Sequence, residues 1–295
     1  PKFAQKKSPH TDLSWMKPRM GWHASLQLNY RLEQKRCILH HQHQGPLRVL
    51  KSLYPEGDAI CHNVLVHPPS GLVGGDRLNI AVHLHEGAHA LITTPGATRF
   101  YGSEGLTAAQ EVDVHIAPNA RLEWLPLEAL AYPRCHAHNQ VVFHLDTDSH
   151  VMAWDVTALG LPHAHQPFEQ GQFQQHLEIK GTWLERGLIN ANDARLMRSP
   201  LGLNGHTCVS TLVFAQGSAM NANMREEVVA IARALCESLS LRLQSGVSSP
   251  NERVVVVRVL SAQVENAMGL LRSVWLQWRQ QCWQLPAVMP RIWAM

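Results

Sequence analysis

The stretch LNIAVHLH (residues 78–85) decides the fold, because its apolar and polar or small side chains alternate with a period of two. Successive side chains of a β-strand point to opposite faces, so this pattern predicts a half-buried strand. The predicted apolar face consists of Leu78, Ile80, Val82 and Leu84. The other face carries Asn79, Ala81, His83 and His85.

The same alternation recurs between residues 63 and 189, in EVDVHI, VVFHLD, MAWDVTAL and QHLEIKG. Turn segments rich in Gly, Pro and Asn, such as HPPSGLVGGD and APNA, interrupt it. Many short strands at near-regular spacing predict a mainly β fold of stacked strands, with a β-helix-like or sandwich-like body. Strands and helices do not alternate, which argues against a nucleotide-binding α/β fold.

The last third of the sequence changes to a helix–strand–helix pattern. A first helix is predicted with Asn223 and Glu226 as its capping pair. The apolar run RVVVVRVL (residues 253–260) is typical of a strand buried on both faces. A second helix is predicted to end before Pro286. Its apolar stripe consists of Val264, Ala267, Met268, Leu271, Val274, Trp275 and Trp278.

These patterns predict three regions along the chain. We expect a flexible N-terminal segment at residues 1–20 and a β-rich body at residues 21–215. A C-terminal α+β portion with two helices is expected at residues 216–295, packed on the body.

Composition excludes several classes of protein. The chain has 295 residues, of which 45% are hydrophobic and 17% charged, with a formal net charge of +3. Disorder and nucleic-acid binding are therefore not expected, and no apolar run approaches the length that spans a bilayer. The basic N-terminus lacks an apolar core and is not read as a secretory signal. Six dispersed cysteines without a C-x-x-C pair predict a reduced, cytoplasmic protein.

Common catalytic motifs are missing from the sequence. It contains no G-x-x-x-x-G-K-[ST] nucleotide-binding loop, no G-x-S-x-G and no H-E-x-x-H. We therefore expect a protein that is not an enzyme.

Six segments together carry a resemblance to a known family: HPPSGLVGGDRL (67–78), GAHALITTPGATRFY (87–101), LEWLPLEAL (122–130), WDVTALGLP (154–162), LERGLI (184–189) and PRIWAM (290–295). In order and spacing the chain resembles the UreD (UreH) family of urease accessory proteins over nearly its whole length. It departs from that family in having LPLE where LPQE is frequent, and in its 19 histidines.

The resemblance implies a non-enzymatic scaffold that helps to load nickel into apo-urease. The implied partners are the urease apoprotein and UreF-like and UreG-like accessory proteins, with neither nucleic acid nor membrane among them. It also implies a β-rich fold of stacked strands followed by helices, and a water-filled passage for nickel. No tightly bound cofactor is expected, only transient Ni²⁺. The missing nucleotide-binding loop fits this assignment, because the GTPase chemistry belongs to the UreG-like partner.

A protein that passes nickel on should avoid closed sites of imidazole or thiolate, which hold this ion tightly. Inward-facing acidic residues are therefore the candidates for a passage lining. Asp76 lies in the turn GLVGGDR, directly before a predicted strand. The alternative is that Asp76 caps this turn or pairs with Arg77.

Two further carboxylates lie on strand faces that otherwise look buried. Asp155 shares its face with Val151 and Ala153, and Glu185 shares its face with Trp183 and Ile189. The alternative for Glu185 is an internal ion pair, but its neighbour Arg186 points to the opposite face. Thr98, in PGATRF, is a candidate for a hydroxyl along the same path, with turn stabilisation as the alternative.

The histidines suggest a rival function. His83 and His85 form an H-x-H pattern like that of cupin-type metalloenzymes, although solvent exposure is the simpler interpretation of both. Cys135, His136 and His138 lie in a predicted loop, where only weak metal binding is expected. A third hypothesis is a pure adaptor that orients its partners without contacting nickel.

Overall fold

The computed structural model describes residues 21–239, 244–286 and 288–294. The predicted flexible segment at residues 1–20 lies outside these ranges. Nearly half of the described chain forms strands, and these stack into two large sheets, as the period-two pattern predicts. Among the described residues, no helix combines the length and the apolar character needed to cross a membrane.

The strands, in chain order, are β1 (His23–Glu33), β2 (Arg36–Gln44), β3 (Arg48–Val49), β4 (Ile60–Val66), β5 (Arg77–Leu84), β6 (His89–Thr93), β7 (Thr98–Phe100), β8 (Ala108–Ile116), β9 (Arg121–Leu125), β10 (Ala129–Ala131), β11 (His136–Leu145), β12 (His150–Leu161), β13 (Gln166–Pro167), β14 (Gln172–Ile179), β15 (Trp183–Asn190), β16 (Cys208–Gln216), β17 (Ser245–Asn251) and β18 (Val254–Ser261). The α-helices are α1 (Ala194–Arg198), α2 (Ala222–Ser238) and α3 (Val264–Trp283). Within the described ranges, 3₁₀ turns lie at Pro162–Ala164 and Arg291–Ala294.

The chain alternates between the two sheets, which produces a solenoid-like stack. The seven-stranded sheet has the order β15-β14-β11-β8-β5-β1-β2, and β1, β5, β8, β11 and β14 pair in parallel. Strands β4, β6, β9 and β12 alternate with them along the chain and pair in parallel in the second sheet. Each turn of the chain therefore adds one strand to each sheet.

The second sheet continues into the C-terminal portion of the chain. Its order is β17-β18-β16-β12-β9-β6-β4-β3, with β7, β10 and β13 attached off this path. Strands β16 and β18 pair with antiparallel register on the far side of β12. The C-terminal strands thus complete a sheet that begins in the β-rich body.

Two apolar cores flank the second sheet. One lies between the two sheets and contains large buried side chains such as Tyr30, Phe143 and Phe173. The other lies between the second sheet and helices α2 and α3. Strand β18 is buried on both faces because it borders both cores, which confirms the prediction from RVVVVRVL. Trp275 and Trp278 are fully buried, so the predicted apolar stripe of α3 is core.

The start of α2 differs from the prediction. The cap is Asn221, whose side-chain oxygen accepts a hydrogen bond from the backbone N–H of Asn223 at 2.9 Å. The predicted pair of Asn223 and Glu226 is therefore wrong. Two asparagines lie two residues apart here, and the chain enters the helix at the first of them.

A buried ionic cluster ties α3 to the body. The Arg279 guanidinium, fully buried, donates to both carboxylate oxygens of Glu56 at 2.9 Å. Its Nε also lies 2.9 Å from a Glu123 oxygen, but that N–H is not aligned with the oxygen, so the contact is ionic. Glu123 accepts in addition from Trp275 Nε1 at 2.7 Å. One guanidinium thus stands between two buried carboxylates, and each carboxylate also contacts a histidine, His62 beside Glu56 and His89 beside Glu123.

Candidate functional site

A band of polar side chains crosses the otherwise apolar space between the two sheets. On the seven-stranded sheet, Gln110, Asn139 and Gln175 lie in register on three neighbouring parallel strands. Glu185 follows on β15, opposite Leu177. The second sheet adds Thr98, Thr157, Asp155, Thr211 and Arg258. These nine residues are called the polar layer.

Strand register places the second-sheet members of the polar layer beside one another. Asp155 on β12 is paired with Thr211 on β16, and Thr211 with Arg258 on β18. Thr98 and Thr157 both pair with Ala129 on β10. Residues that are paired on neighbouring strands point to the same face of a sheet. All five second-sheet members of the polar layer therefore point towards the seven-stranded sheet.

Asp155 is the most enclosed carboxylate of the polar layer, with 5% of its surface exposed. It accepts hydrogen bonds from Asn139 Nδ2 at 3.2 Å and Thr157 Oγ1 at 3.4 Å. Burial, and then the charge of Glu185, raise the pKa of Asp155 to about 6. In the described part of the chain no ion pair to a Lys, Arg or His neutralises this carboxylate. At neutral pH it is therefore a buried anion with only neutral hydrogen-bond donors.

Glu185 lies at the outer end of the polar layer. It accepts a hydrogen bond from Thr211 Oγ1 at 2.5 Å and forms an ion pair with Arg258, whose side chain is 51% exposed. The internal ion pair considered from the sequence thus exists, but with Arg258 instead of Arg186. Since Arg258 reaches solvent, it can move away from Glu185 without crossing the core.

Thr98 stands between two cavities. A cavity of about 370 Å³ and a smaller one of about 20 Å³ share four wall residues, Thr98, Gln110, Trp124 and Pro126. The smaller cavity also touches Asn139 and Asp155. A volume of this size holds one water molecule when polar groups surround it.

Two buried polar atoms along this path make no well-aligned hydrogen bond to the described residues, although Gln175 lies close enough to Asp155 to counteract part of the rise in the pKa of that carboxyl group. They are the side-chain nitrogen Nε2 of Gln175, in the polar layer, and Nδ1 of His67, in the wall of the larger cavity. Burial lowers the pKa of His67, so its imidazole is neutral at pH 7. Buried polar atoms of this kind usually bind water or an ion.

Asp76 lies apart from the polar layer. Its carboxylate accepts hydrogen bonds from the backbone N–H of Trp22 at 2.8 Å and of Val73 at 2.9 Å, which is the arrangement of a turn cap. The charge of Asp76 counteracts the fall in the pKa of His67, which lines the larger cavity, but Asp76 itself is not a wall residue of that cavity. The structure therefore brings Asp155, Glu185 and Thr98 together and leaves Asp76 at the turn.

The predicted histidine sites lie elsewhere. His83 is exposed on the outer face of the seven-stranded sheet. His85, directly after the end of β5, is also exposed. The predicted loop at His136 and His138 is wrong, because these residues open strand β11, where Cys135 directly before them is buried. The turn before them is short, so the strand begins earlier than the sequence pattern predicts.

Sequence reasoning found Thr98 but missed the other members of the polar layer that carry no carboxylate, namely Gln110, Asn139, Gln175, Thr157, Thr211 and Arg258. Asn139 and Gln175 occupy inward positions of strands whose other inward residues are apolar, such as Val141 and Leu177. A polar side chain at an apolar position of a period-two pattern was the available signal.

Comparison with known proteins agrees with this architecture. The family model described as UreD urease accessory protein matches residues 23–294. A urease accessory protein UreD of Albidiferax ferrireducens is 56% identical over 276 residues, 94% of this chain and 100% of the relative. Relatives of the same name from Variovorax paradoxus and Verminephrobacter eiseniae are 54% and 55% identical, over 93% and 94% of this chain and the whole of each relative.

A match over nearly the full chain, at more than half identical residues, leaves no segment of the solenoid or of the helices outside the similarity. The chain belongs to the UreD family of urease accessory proteins.

Proposed function

We propose that this protein is a non-enzymatic scaffold that passes Ni²⁺ through its polar layer to apo-urease, in a complex with UreF-like and UreG-like proteins. Its relatives are named as urease accessory proteins, which supports a role in urease maturation. We place this role in the cytoplasm, where its six free cysteines remain reduced.

Asp155 is the observation on which the nickel passage depends. A buried carboxylate without a cationic partner attracts a divalent cation, because the cation restores the charge balance lost on burial. Oxygen and amide ligands exchange Ni²⁺ more readily than a cage of thiolates and imidazoles does. The ligands of the polar layer therefore suit transient binding of Ni²⁺ during transfer and do not suit tight, long-lived binding of the ion.

The order of the polar groups suggests a direction along this route. An ion would enter at the larger cavity beside His67, pass Thr98 and Gln110, and reach Asp155. Glu185 is next, where the exposed Arg258 side chain gives way to the incoming cation. On this proposed route the polar layer would link the larger cavity with solvent at Arg258.

A pure adaptor is the second candidate function, and two contacts favour it. Glu185 is already paired with Arg258, and Asp76 already accepts two backbone hydrogen bonds. Carboxylates with these partners are explained without a passing ion. A cupin-like enzyme has less support, because His83 is exposed instead of enclosed.

Reconstituted urease activation with Asp155→Asn separates the first two candidates. The amide keeps the size of the carboxylate and removes its charge, so we expect less nickel per urease active site. The complex with partner proteins should assemble normally in size-exclusion chromatography. Asp58→Asn, at an exposed carboxylate far from the polar layer, is the matched control. Normal nickel content with Asp155→Asn would support the adaptor instead.

A further inference from the structure

Three histidines form a row on the outer face of the seven-stranded sheet. His83 on β5 is in register with His115 on β8, and His115 is in register with His144 on β11. The imidazole rings are stacked, with centroids 5.1 Å apart for the first pair and 4.2 Å for the second. Parallel strands at constant register therefore place three imidazoles side by side.

A carboxylate lies directly beneath this row. Asp113, two residues before His115 on the same strand face, lies 2.8 Å from His115 Nε2 through one oxygen. Its other oxygen lies 3.2 Å from His144 Nε2. Ligand atoms of Asp113, His115 and His144 all fall within 4.8 Å of one another.

We propose that Asp113, His115 and His144 form a binding site for a divalent transition-metal ion of the Ni²⁺, Cu²⁺ and Zn²⁺ class. These ions favour imidazole nitrogen together with carboxylate oxygen, at about 2.0–2.2 Å from the metal. Ligands at such distances stand roughly 3 Å apart, so both imidazoles already converge on the carboxylate at nearly the required spacing.

The three side chains of the site have room to move to the spacing that a bound metal ion requires. The side chains of Asp113 and His115 are at least half-exposed and that of His144 is one-third exposed, so they rotate without disturbing the core. His83 is stacked on the far side of His115 and supplies a fourth ligand when its ring turns.

This site is separate from the polar layer. Neighbouring residues on the same strands, Val112, Val114 and Phe143, are buried in the core between the sheets, and the proposed ligands alternate with them. The site therefore faces solvent on the opposite side of the sheet. Its existence does not depend on the proposed nickel passage.

Metal titration of the full chain, without an affinity tag, tests this proposal. Ni²⁺, Cu²⁺ and Zn²⁺ are each titrated by calorimetry in a buffer that does not bind metals, with wild type and with His115→Ala, His144→Ala and Asp113→Asn. We expect one equivalent of metal to bind to the wild type. Each substitution should weaken its affinity by at least ~10-fold, because even the loss of a residue that only supports a metal ligand has an effect of about that size.

Two control variants decide where any lost metal was bound. His163→Ala removes an exposed histidine of a 3₁₀ turn, and His41→Ala removes one of the stacked pair on β2. Both variants should retain the equivalent of metal. Electron paramagnetic resonance of the Cu²⁺ form should show nitrogen couplings from His115 and His144 that disappear with the respective variants.

Two results would overturn the proposal. In the first, His115→Ala and His144→Ala bind each metal like the wild type. In the second, His163→Ala or His41→Ala loses as much binding as they do, which would mean that metal binds diffusely to many histidines. Circular dichroism confirms that each variant is folded, and Asp113→Asn gives a second, nearly isosteric test should an alanine variant misfold.

Discussion

Replacing Asp155 by asparagine should stabilise this protein above pH 6. The pKa of Asp155 rises from 3.8 to about 6 on folding, chiefly because the carboxylate is buried. A pKa difference of one between the folded and unfolded chains corresponds to about 1.4 kcal/mol, so the ionised carboxylate destabilises the folded state by about 3 kcal/mol. Asparagine carries no charge and avoids this cost, provided that its oxygen accepts from Asn139 and the Thr157 hydroxyl turns to accept from its amide nitrogen.

The stability advantage of Asp155→Asn over the wild type grows with rising pH, because the pKa of Asp155 is raised in the folded chain. Below about pH 4 the carboxyl group is protonated in both folded and unfolded chains, so the variant has no advantage. Between pH 4 and 6 the unfolded chain loses its proton while the folded chain retains it. The stability of the wild type therefore falls with pH over this window, and the advantage of Asp155→Asn reaches its plateau above pH 6.

Urea denaturation of both proteins at pH 4, 5, 6 and 8 measures this difference. We expect the free energy of unfolding of Asp155→Asn to exceed that of the wild type by about 3 kcal/mol at pH 8 and by little at pH 4. The melting temperature of the variant should be about 6 °C higher at pH 8. Asp58→Asn, at an exposed carboxylate, should change the stability by less than about 0.5 kcal/mol. A variant that is less stable at pH 8, or a difference that is independent of pH, would refute the view that Asp155 is an uncompensated anion.

Two more stability predictions concern the charged pairs. Arg279→Met should destabilise the protein by about 3–5 kcal/mol in thermal and urea denaturation, because it leaves Glu56 and Glu123 buried without their cation. Adding Glu123→Gln should restore part of this loss, and a cost below about 1 kcal/mol for Arg279→Met alone would contradict the ionic cluster. Glu185→Gln should cost less than about 1 kcal/mol, since its partner Arg258 is half-exposed, yet it should lower urease nickel content. A large loss of stability with normal nickel loading would instead assign Glu185 a structural role.

Much of the fold follows from local patterns in the sequence. The alternation at residues 78–85 gives the buried and exposed faces of β5 correctly, and RVVVVRVL gives a strand buried on both sides. Strand β17, with the sequence SGVSSPN, lacks such a pattern because an edge strand can pair through its backbone with little apolar burial.

The contacts within the candidate site were harder to predict from sequence patterns than the strands were. That Asp155 and Glu185 face inward follows from their own strands. That Asp155 lies beside Asn139, or Glu185 beside Arg258, depends on which strands face each other across the two sheets. The lengths of the successive turns of the solenoid determine which strands face each other. The period-two alternation of side chains contains no information about these lengths.

The histidine row shows the same limit. His83 is predicted to point outward, and it does. Its stacking on His115 requires that β5 and β8 pair in parallel with one particular register. Side-chain types alone do not specify that register.

The most direct test of the nickel passage is a steric block at Thr98, where the two cavities share a wall. Thr98→Phe fills this space without altering any charge, and Thr98→Ser keeps both the hydroxyl and the opening. Nickel per urease active site is measured after maturation with each variant, once circular dichroism and partner binding show an intact protein. We predict that Thr98→Phe matures urease with little nickel while Thr98→Ser matches the wild type. Full nickel loading by Thr98→Phe would contradict an internal route.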